Sequence, residues 1–278
     1  MIENLIFDLG MNNGDDTDFY LRKGFRVVAV EANPDLCAQG MQRFAPEIES
    51  GKLRIVNKAI GKTGGEIQLF INEQVTGWTT TNPEYLQARI GAGTNSRAVT
   101  VPAASFQEIL SEYGVPYYVK ADIQGAELFC LEALLEFADR PKHFSISTGA
   151  DAIGAHTMQH IRKGIGLFSA LGYRKFQVVQ QKHTDRQTCP FPAREGTYID
   201  YRFRHGCTGL FGNELPGERM NAKQALREYW KIVMSYKLAG NSPSPTAWFN
   251  NLPSSTFRYY LDRLFWRGSG WYDTHAMR

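Results

Sequence analysis

The stretch that decides the fold is Ile6-Phe7-Asp8-Leu9-Gly10-Met11-Asn12-Asn13-Gly14-Asp15-Asp16-Thr17. An apolar run stops at an acid, two glycines follow with small polar residues between them, and an amphipathic pattern then begins. This order predicts a strand, a tight turn and a helix. A second apolar run ends at Glu31, at about the distance from Asp8 that one β-α-β unit occupies.

The residues of this unit favour a nucleoside ligand. Gly10 and Gly14 lack a Cβ atom, so the backbone can turn sharply and a ligand can come close. Glu31, at the end of the second strand, is placed to accept hydrogen bonds from ribose hydroxyls. The turn lacks the G-x-G-x-x-G pattern of dinucleotide folds, and Asp8 suits an ammonium group such as that of S-adenosylmethionine. An ordinary α/β turn with two structural glycines is the alternative.

Composition restricts the class of protein. The 278 residues are 43% hydrophobic and 21% charged, which is typical of a globular domain, and a net charge of +3 is too small to indicate nucleic-acid binding. No apolar run is long enough to span a membrane, and the chain enters its first strand at once, so we expect a cytoplasmic protein. The four cysteines lie far apart, which predicts neither a zinc site nor a disulfide framework.

Strands alternate with helices through the first two thirds of the chain. This alternation predicts an α/β fold, a Rossmann-like, doubly wound and mostly parallel sheet. We expect residues 1–181 to form this core and residues 182–278 to form a C-terminal extension of helices and loops. Residues 72–96 show little periodicity and are interpreted as a long loop. A last helix is predicted over residues 254–266. The tail 271–275 is too aromatic for a disordered segment, so we expect this region to dock on something.

Four residues end predicted strands and should meet in one crevice, because ligands of open α/β sheets bind beyond the carboxyl ends of the strands. They are Asp8, Glu31, Ala59 and Asp122. Lys58, Ala59 and Ile60 are expected to flank an adenine ring, and residues 122–125 to face the reactive end of the ligand. Asp122 could equally be a helix N-cap with Lys120 as its partner.

The chain resembles the FkbM family of S-adenosylmethionine-dependent methyltransferases. The resemblance lies in three motifs, FDLGMNNGDDT at residues 7–17, VAVEANP at 28–34 and VKADIQGAE at 119–127. It implies a fold of the class I methyltransferase type and methyl transfer from S-adenosyl-L-methionine, commonly to oxygen. The cofactor residues that it and the turn pattern imply are Asp8, Gly10, Asn12, Asn13, Gly14, Thr17, Glu31, Ala32, Asn33, Lys58, Ala59 and Asp122.

Two departures from the family pattern concern the acceptor side of the site. Gln124 stands where the third motif usually has Glu, and Ser147 stands where the next strand usually ends in Glu. Gln124 can hydrogen-bond a substrate but cannot accept a proton at neutral pH. The remaining candidates for catalysis are Asp122, Asp273 and His275, and those for substrate binding are Trp78, Gln124 and Trp271.

Simpler interpretations exist for several of these residues. His275 could be an exposed tail histidine, and Trp78 could be a loop tryptophan packed on the core. His156 and His160 are one helical turn apart, but a third ligand is missing, so we expect a surface face and no metal site.

Three classes of function fit the sequence. The leading hypothesis is O-methylation of a small molecule, a sugar or a glycan end, with the C-terminal extension forming the acceptor pocket or its lid. The second is a binding protein on a catalytically impaired methyltransferase fold, suggested by Gln124 and Ser147. The third is a nucleic-acid methyltransferase, suggested by bases and rings at residues 258–267, although helix packing explains these residues more simply. No membrane partner is expected, and a homo-oligomer is compatible with the sequence.

Overall fold

The structure is a computed structural model, and it describes residues 1–148, 157–239 and 270–278. These residues contain ten strands: β1 (Ile2–Leu9), β2 (Arg26–Val30), β3 (Leu53–Val56), β4 (Ala59–Gly61), β5 (Gly65–Asn72), β6 (Ser96–Ser105), β7 (Pro116–Ala121), β8 (His143–Ser147), β9 (Lys175–Gln180) and β10 (Tyr272–Met277). Seven of them form the main sheet in the order β3-β2-β1-β7-β8-β10-β9, and β4-β6-β5 form a small second sheet.

The described helices are α1 (Asp15–Arg22), α2 (Pro34–Arg43), α3 (Ala45–Glu49), α4 (Pro83–Gly91), α5 (Phe106–Tyr113), α6 (Glu127–Leu134), α7 (Thr157–Ala170) and α8 (Ala222–Ala239). Short 3-10 helices cover Thr76–Trp78, Gln181–Arg186 and Gly212–Glu214. Helix α2 begins as its sequence predicts, since the Asn33 side chain accepts a hydrogen bond from the Asp35 N–H. Ser105 and Glu108 form a capping box at the start of α5, as the Ser-x-x-Glu spacing of the sequence indicates.

The main sheet confirms the doubly wound α/β prediction. Strands β1, β2, β3, β7 and β8 are parallel, and β1 lies in the middle, between β2 and β7. Leu9 at the end of β1 is level with Val30 of β2 and Ala121 of β7. The strand order reverses at β1, so a crevice opens beyond these three ends, where open α/β sheets bind their ligands.

Residues 72–96 differ from the loop that was predicted. They contain one 3-10 turn and helix α4, which begins where the Asn82 side chain accepts a hydrogen bond from the Glu84 N–H and Pro83 occupies the first turn. The weak periodicity of this segment hides the helix because Arg89 is its only buried residue in the part that the structure describes.

The tail of the chain docks by joining the main sheet. Strand β10 lies between β8 and β9 and is antiparallel to both, and all six of its residues are buried. Its polar sequence, with Asp273, Thr274 and His275 in succession, gives no strand pattern. The segment assigned to the extension therefore contributes one strand to the main sheet.

Residues 203–215 of the extension also pack into the core. Phe203, Cys207, Leu210 and Leu215 belong to one apolar cluster with α1 and β2, and the Phe211 ring stacks on Tyr118 with centroids 4.5 Å apart. The predicted helix 254–266 and His156 lie outside the described residues, and His160 is partly buried on α7. Among the described helices none is long and apolar enough to cross a membrane.

Deleting residues 272–278 should prevent cooperative folding, because β8 and β9 would lose the strand that pairs with both. Thermal unfolding followed by circular dichroism measures this. Deletion of Arg278 alone, which is exposed, is the control. A truncated chain that melts cooperatively within a few degrees of the full chain would contradict the structural role of β10.

Candidate active site

A cavity lies beyond the carboxyl ends of β1, β2 and β7. It encloses about 940 Å³, part of it open to solvent. Of the residues expected from the sequence, nine line it: Gly10, Asn12, Asn13, Glu31, Ala32, Lys58, Ala59, Asp122 and Gln124. Ile60 and Ile123, which belong to the expected segments 58–60 and 122–125, line it as well. The other lining residues were not among the candidates from the sequence: Met11, Asp15, Asp16, Val30, Leu36, Leu69, Thr76, Gly77, Thr79, Thr80, Thr81, Lys120, His205, Gly206 and Cys207.

The glycine turn forms the floor of the cavity. Gly10 has φ +83°, and a Cβ atom on it would lie 2.0 Å from the Asp122 carbonyl oxygen, so only glycine fits here. Gly14 does not line the cavity, and a Cβ there would lie 2.6 Å from the Phe44 ring. The Gly10 and Met11 N–H groups donate to the Val30 carbonyl at 2.8 and 3.2 Å, which ties the turn to β2.

Asp8 lies beneath this floor and does not line the cavity. It is completely buried, accepts a hydrogen bond from the Thr17 hydroxyl at 2.6 Å and pairs with the Lys120 ammonium at 2.9 Å. Lys120 also donates to the Gly10 carbonyl at 2.7 Å. Asp8 was expected to contact the ammonium group of a ligand, but it binds the ammonium group of Lys120 instead. Thr17 donates its hydroxyl hydrogen bond to the same carboxylate.

The charge of Lys120 is maintained by its neighbours. Burial alone would lower the pKa of Lys120, but Asp8, Asp16 and Asp122 raise it above its ordinary value. The acids thus favour the charged form of Lys120, which compensates the negative charge beneath the glycine turn.

Glu31 lines the cavity at the tip of β2. Its two carboxylate oxygens accept hydrogen bonds from the backbone N–H groups of Asn12, at 2.7 Å, and Asn33, at 2.8 Å. Burial raises the pKa of Glu31, whereas these two hydrogen bonds lower it. Because each carboxylate oxygen can accept a second hydrogen bond, Glu31 can still receive hydroxyl donors from a ligand. Asn33, which caps α2, lies behind Glu31 and does not line the cavity.

An apolar wall faces Glu31. Val30, Leu36, Ala59, Ile60 and Leu69 contribute to it, and all five are buried. Ala32 and Lys58 flank this wall. Such a wall beside a carboxylate suits a flat heteroaromatic base attached to a sugar.

Asp122 and Gln124 lie at the other end of the cavity. The Gln124 amide donates to the Asp122 carboxylate at 2.8 Å, and the Thr80 hydroxyl donates to the Gln124 carbonyl at 2.7 Å. Gln124 adopts φ +49°, an uncommon conformation for a residue other than glycine. Glu127 fixes this turn by accepting hydrogen bonds from the N–H groups of Ile123 and Gly125, and burial raises its pKa to about 7.

Trp78 is connected to this turn through Arg89. It does not line the cavity, and the Arg89 guanidinium lies 4.4 Å from the centre of its ring. Arg89 in turn approaches the Gln124 side-chain oxygen at 3.5 Å. Trp78 therefore contacts the residue that supports Gln124, whereas neighbouring threonines of the same loop form the wall itself.

Asp16 is a cavity residue that belongs to the first motif. It lies 3.7 Å from the Lys120 ammonium, and its carboxylate accepts the Thr208 N–H at 2.9 and 3.1 Å. Burial raises the pKa of Asp16 to about 6, although Lys120 opposes this shift. Through Thr208, Asp16 attaches the loop that carries His205 to the first turn of α1. Trp271 lies beside this loop, with its ring 5.4 Å from that of His205, and does not line the cavity.

His275 lies away from the cavity. It is buried within the sheet between Ser145 and Gln177, on a small separate cavity that Arg219 also lines. Burial, together with the positive charge of Arg219, lowers the pKa of His275 to about 3, so it is neutral near pH 7. Its position argues against the catalytic role expected from the sequence.

Asp273 lies behind the reactive end of the cavity without lining it. It is buried on β10 directly opposite Ser147, and burial together with the charge of Asp122 raises its pKa well above the ordinary value. Ser147 stands where FkbM methyltransferases usually have Glu. The structure thus places the carboxyl group of Asp273 directly opposite this position, on the adjacent strand. Among the described residues no cluster of His, Cys, Asp and Glu could hold a metal ion.

Residues 8–175 match the family model described as the methyltransferase FkbM domain. The chain belongs to the FkbM methyltransferase family. Methyltransferases of this family take their methyl group from S-adenosylmethionine, which is therefore the cofactor of this protein. No curated protein matches the chain.

Solved structures of distant methyltransferases are also similar to this FkbM methyltransferase. The SAM-dependent methyltransferase of Geobacter sulfurreducens in complex with S-adenosyl-L-homocysteine is 10% identical, with 99% of this chain and 85% of that chain covered and a TM-score of 0.36. The enzyme from Thiobacillus denitrificans in complex with the same molecule is 9% identical, with 99% and 85% covered and a TM-score of 0.35. Precorrin-6y C5,15-methyltransferase of Geobacter metallireducens is 12% identical, with 66% and 71% covered and a TM-score of 0.33.

The cavity of the FkbM methyltransferase fits S-adenosylmethionine. Glu31 offers acceptors for ribose hydroxyls beside the apolar wall, and the missing Cβ of Gly10 lets the Asp122 carbonyl pack against the turn, which brings Asp122 to the same cavity. The Asn12 side-chain oxygen is buried and has no hydrogen-bond partner among the described residues, so an amine or hydroxyl donor would satisfy it.

Replacing Glu31 with Gln should weaken the binding of S-adenosylhomocysteine by about 10- to 100-fold, because a charged acceptor for ribose hydroxyls is lost. Isothermal titration calorimetry measures the affinity. Glu49→Gln, a change at an exposed glutamate, is the matched control and should bind as the wild type does. Equal affinities of the two variants would refute the role of Glu31.

The raised pKa of Asp16 predicts a pH-dependent stability. The folded protein keeps the Asp16 proton up to about pH 6, whereas the unfolded chain releases it near 3.8, so folding loses stability as the pH rises between these values. Asp16→Asn should lessen this loss between pH 4 and 7 by up to about 3 kcal/mol. Urea unfolding at several pH values measures it, with the exposed Asp185→Asn as control. Parallel pH profiles of wild type and Asp16→Asn would contradict the assignment.

Proposed function

We propose that this FkbM methyltransferase methylates a hydroxyl oxygen of a small polyhydroxylated acceptor, and that Asp122 accepts the hydroxyl proton. The observation that carries the proposal is the position of Asp122, a carboxylate that lines the cavity directly beside the glycine turn. Its backbone is fixed from two sides, since its N–H donates to the Leu9 carbonyl at 3.0 Å and its carbonyl contacts Gly10.

The wall around Asp122 supports a hydroxylated acceptor. Thr76, Thr79, Thr80 and Thr81 come from one loop, and Gln124 faces them across the turn. Hydroxyl and amide groups can donate to and accept from sugar hydroxyls, so this end of the cavity suits a polar, uncharged portion of an acceptor. The cavity acids would resist an anion at the same place.

When bound, S-adenosylmethionine supplies a methyl group on a positively charged sulfur and leaves as a neutral thioether. The protein therefore has to position the acceptor oxygen and remove one proton. Gln124 orients the Asp122 carboxylate by donating a hydrogen bond to it, and Arg89 approaches the oxygen of the same amide. The proton of the acceptor hydroxyl passes to Asp122 as the new carbon–oxygen bond forms.

The binding-protein alternative depends on the two missing family carboxylates. Asp273 lies opposite Ser147 in the sheet and close enough to Asp122 for the two charges to interact. Gln124 retains a hydrogen bond to Asp122. These contacts support an adapted site in preference to a decayed one. The basic residues 258–267, which suggested nucleic acid, lie outside the described residues.

Asp122→Asn should lower methyl transfer by about 10²- to 10⁴-fold, because asparagine cannot take the proton. Its affinity for S-adenosylhomocysteine should stay within about threefold of the wild type, since the amide has nearly the shape of the carboxylate. The release of S-adenosylhomocysteine over a panel of sugars and phenols measures transfer, and Asp185→Asn is the control. An Asp122→Asn variant that keeps wild-type turnover would overturn the assignment of the base.

A wild-type protein that binds neither S-adenosylmethionine nor S-adenosylhomocysteine in calorimetry would remove the proposed function altogether. Binding of both with turnover only of amine or thiol acceptors would replace oxygen by another acceptor atom.

A further inference from the structure

A second hollow lies beside the cofactor cavity. It is an open polar groove of about 510 Å³, and we call it the arginine groove. Its lining is almost entirely charged and consists of Asp15, Asp18, Arg22, Arg43, Asp200, Tyr201, Arg202 and Arg204. Nothing in the proposed methyl transfer uses these four arginines.

The arginine groove and the cavity adjoin one another. Asp15 lines both of them. One strip of the extension also runs along both, since residues 200–202 and 204 line the groove and residues 205–207 line the cavity. A molecule of a few rings that enters the cavity at His205 would therefore extend along the strip into the groove.

The charges of the groove leave an excess of cations. Arg43 and Arg204 approach the same oxygen of Asp15, at 2.8 and 3.3 Å, so one carboxylate is shared by two guanidinium groups. Arg22 is balanced by Asp18, which it contacts at 2.9 Å. Arg202 and Asp200 add one charge of each sign, which leaves the groove with a net positive charge.

The shared arginines remain accessible. The Arg204 side chain is 73% exposed and that of Arg43 is 34% exposed. Each guanidinium carries five N–H donors, more than their contacts with Asp15 and with the Asn13 carbonyl require. Such donors match the oxygens of a phosphate or a carboxylate.

The cavity itself presents the opposite charge. Four acids, Asp15, Asp16, Glu31 and Asp122, line it against two lysines, Lys58 and Lys120, and Lys120 is already paired with the buried Asp8. The excess charge is therefore negative and disfavours an anionic group of an acceptor inside the cavity. The same group would be attracted to the groove. The two adjoining sites thus favour one orientation of an acceptor, with its hydroxyl groups in the cavity and its anionic group in the arginine groove.

We propose that the acceptor is a sugar or sugar-like molecule bearing a phosphate or carboxylate, and that Arg202 and Arg204 hold this anion while a hydroxyl reaches Asp122. This inference rests on the proposed function and names its substrate class. It assigns Arg202 and Arg204 as residues for acceptor specificity, without contact to the reacting atoms.

Binding of three matched sugars to the protein saturated with S-adenosylhomocysteine tests the proposal. Glucose, glucose 6-phosphate and glucuronate differ in the anion alone or nearly so, and saturation-transfer NMR titrations give their affinities. We expect one or both anionic sugars to bind at least about tenfold more tightly than glucose, and this preference to fall as the salt concentration rises. The double variant Arg202→Gln, Arg204→Gln should lose the preference, whereas Arg97→Gln, a change at an exposed arginine outside the groove, should keep it.

The outcomes separate this inference from the proposed function. Failure of S-adenosylhomocysteine to bind the wild type refutes the proposed function and the inference with it. Normal cofactor binding with equal affinity for all three sugars, or a preference that survives the double variant, overturns the inference alone. A preference for only the phosphate or only the carboxylate supports it and identifies the anion.

Discussion

One buried ammonium group holds the site together. Lys120 of β7 pairs with Asp8 of β1 at 2.9 Å and donates to the Gly10 carbonyl at 2.7 Å, so it joins two central strands to the glycine turn. All three residues lie at the point where the strand order reverses. Removing one partner of such a buried pair leaves an uncompensated charge, at a cost of about 3–5 kcal/mol. The shape of the cavity floor therefore depends on this contact.

Local features of the fold were predictable from the sequence. Apolar runs marked β1, β2 and β7, and Asn33 and Ser105 marked helix starts, because strands and caps depend on neighbouring residues. Distant pairings were not. Asp8 and Lys120 are 112 residues apart, and a sequence pattern cannot show that the acid meets an internal ammonium before it meets a ligand. Strand β10 was missed for a related reason, since its polar residues are buried by distant parts of the chain, such as β8, β9 and Tyr229 of α8.

The same limit applies to the site. The sequence predicted that Gly10, Glu31 and Asp122 lie at one cavity, because the carboxyl ends of parallel strands meet at one edge of the sheet. The structure shows all three in the cavity lining. Residues of the segments 76–81 and 205–207 also line the cavity. Their position depends on the path of two long connecting segments, which a local sequence pattern does not reveal. Asp273 is an example. The family usually has a glutamate at the position of Ser147, and here the carboxyl group of Asp273 lies opposite that position on the adjacent strand. The two residues are 126 positions apart in the chain, so only the strand pairing reveals this relation.

A crystal structure with S-adenosylhomocysteine bound tests the central claim most directly, namely that Glu31 binds the ribose and that the sulfur lies toward Asp122 above an intact Asp8–Lys120 pair. We predict ribose hydroxyls on the Glu31 carboxylate, the sulfur facing Asp122, and Lys120 still bound to Asp8 and the Gly10 carbonyl. A ligand whose amino group displaces Lys120 from Asp8, or one that lies outside the cavity, would contradict this account.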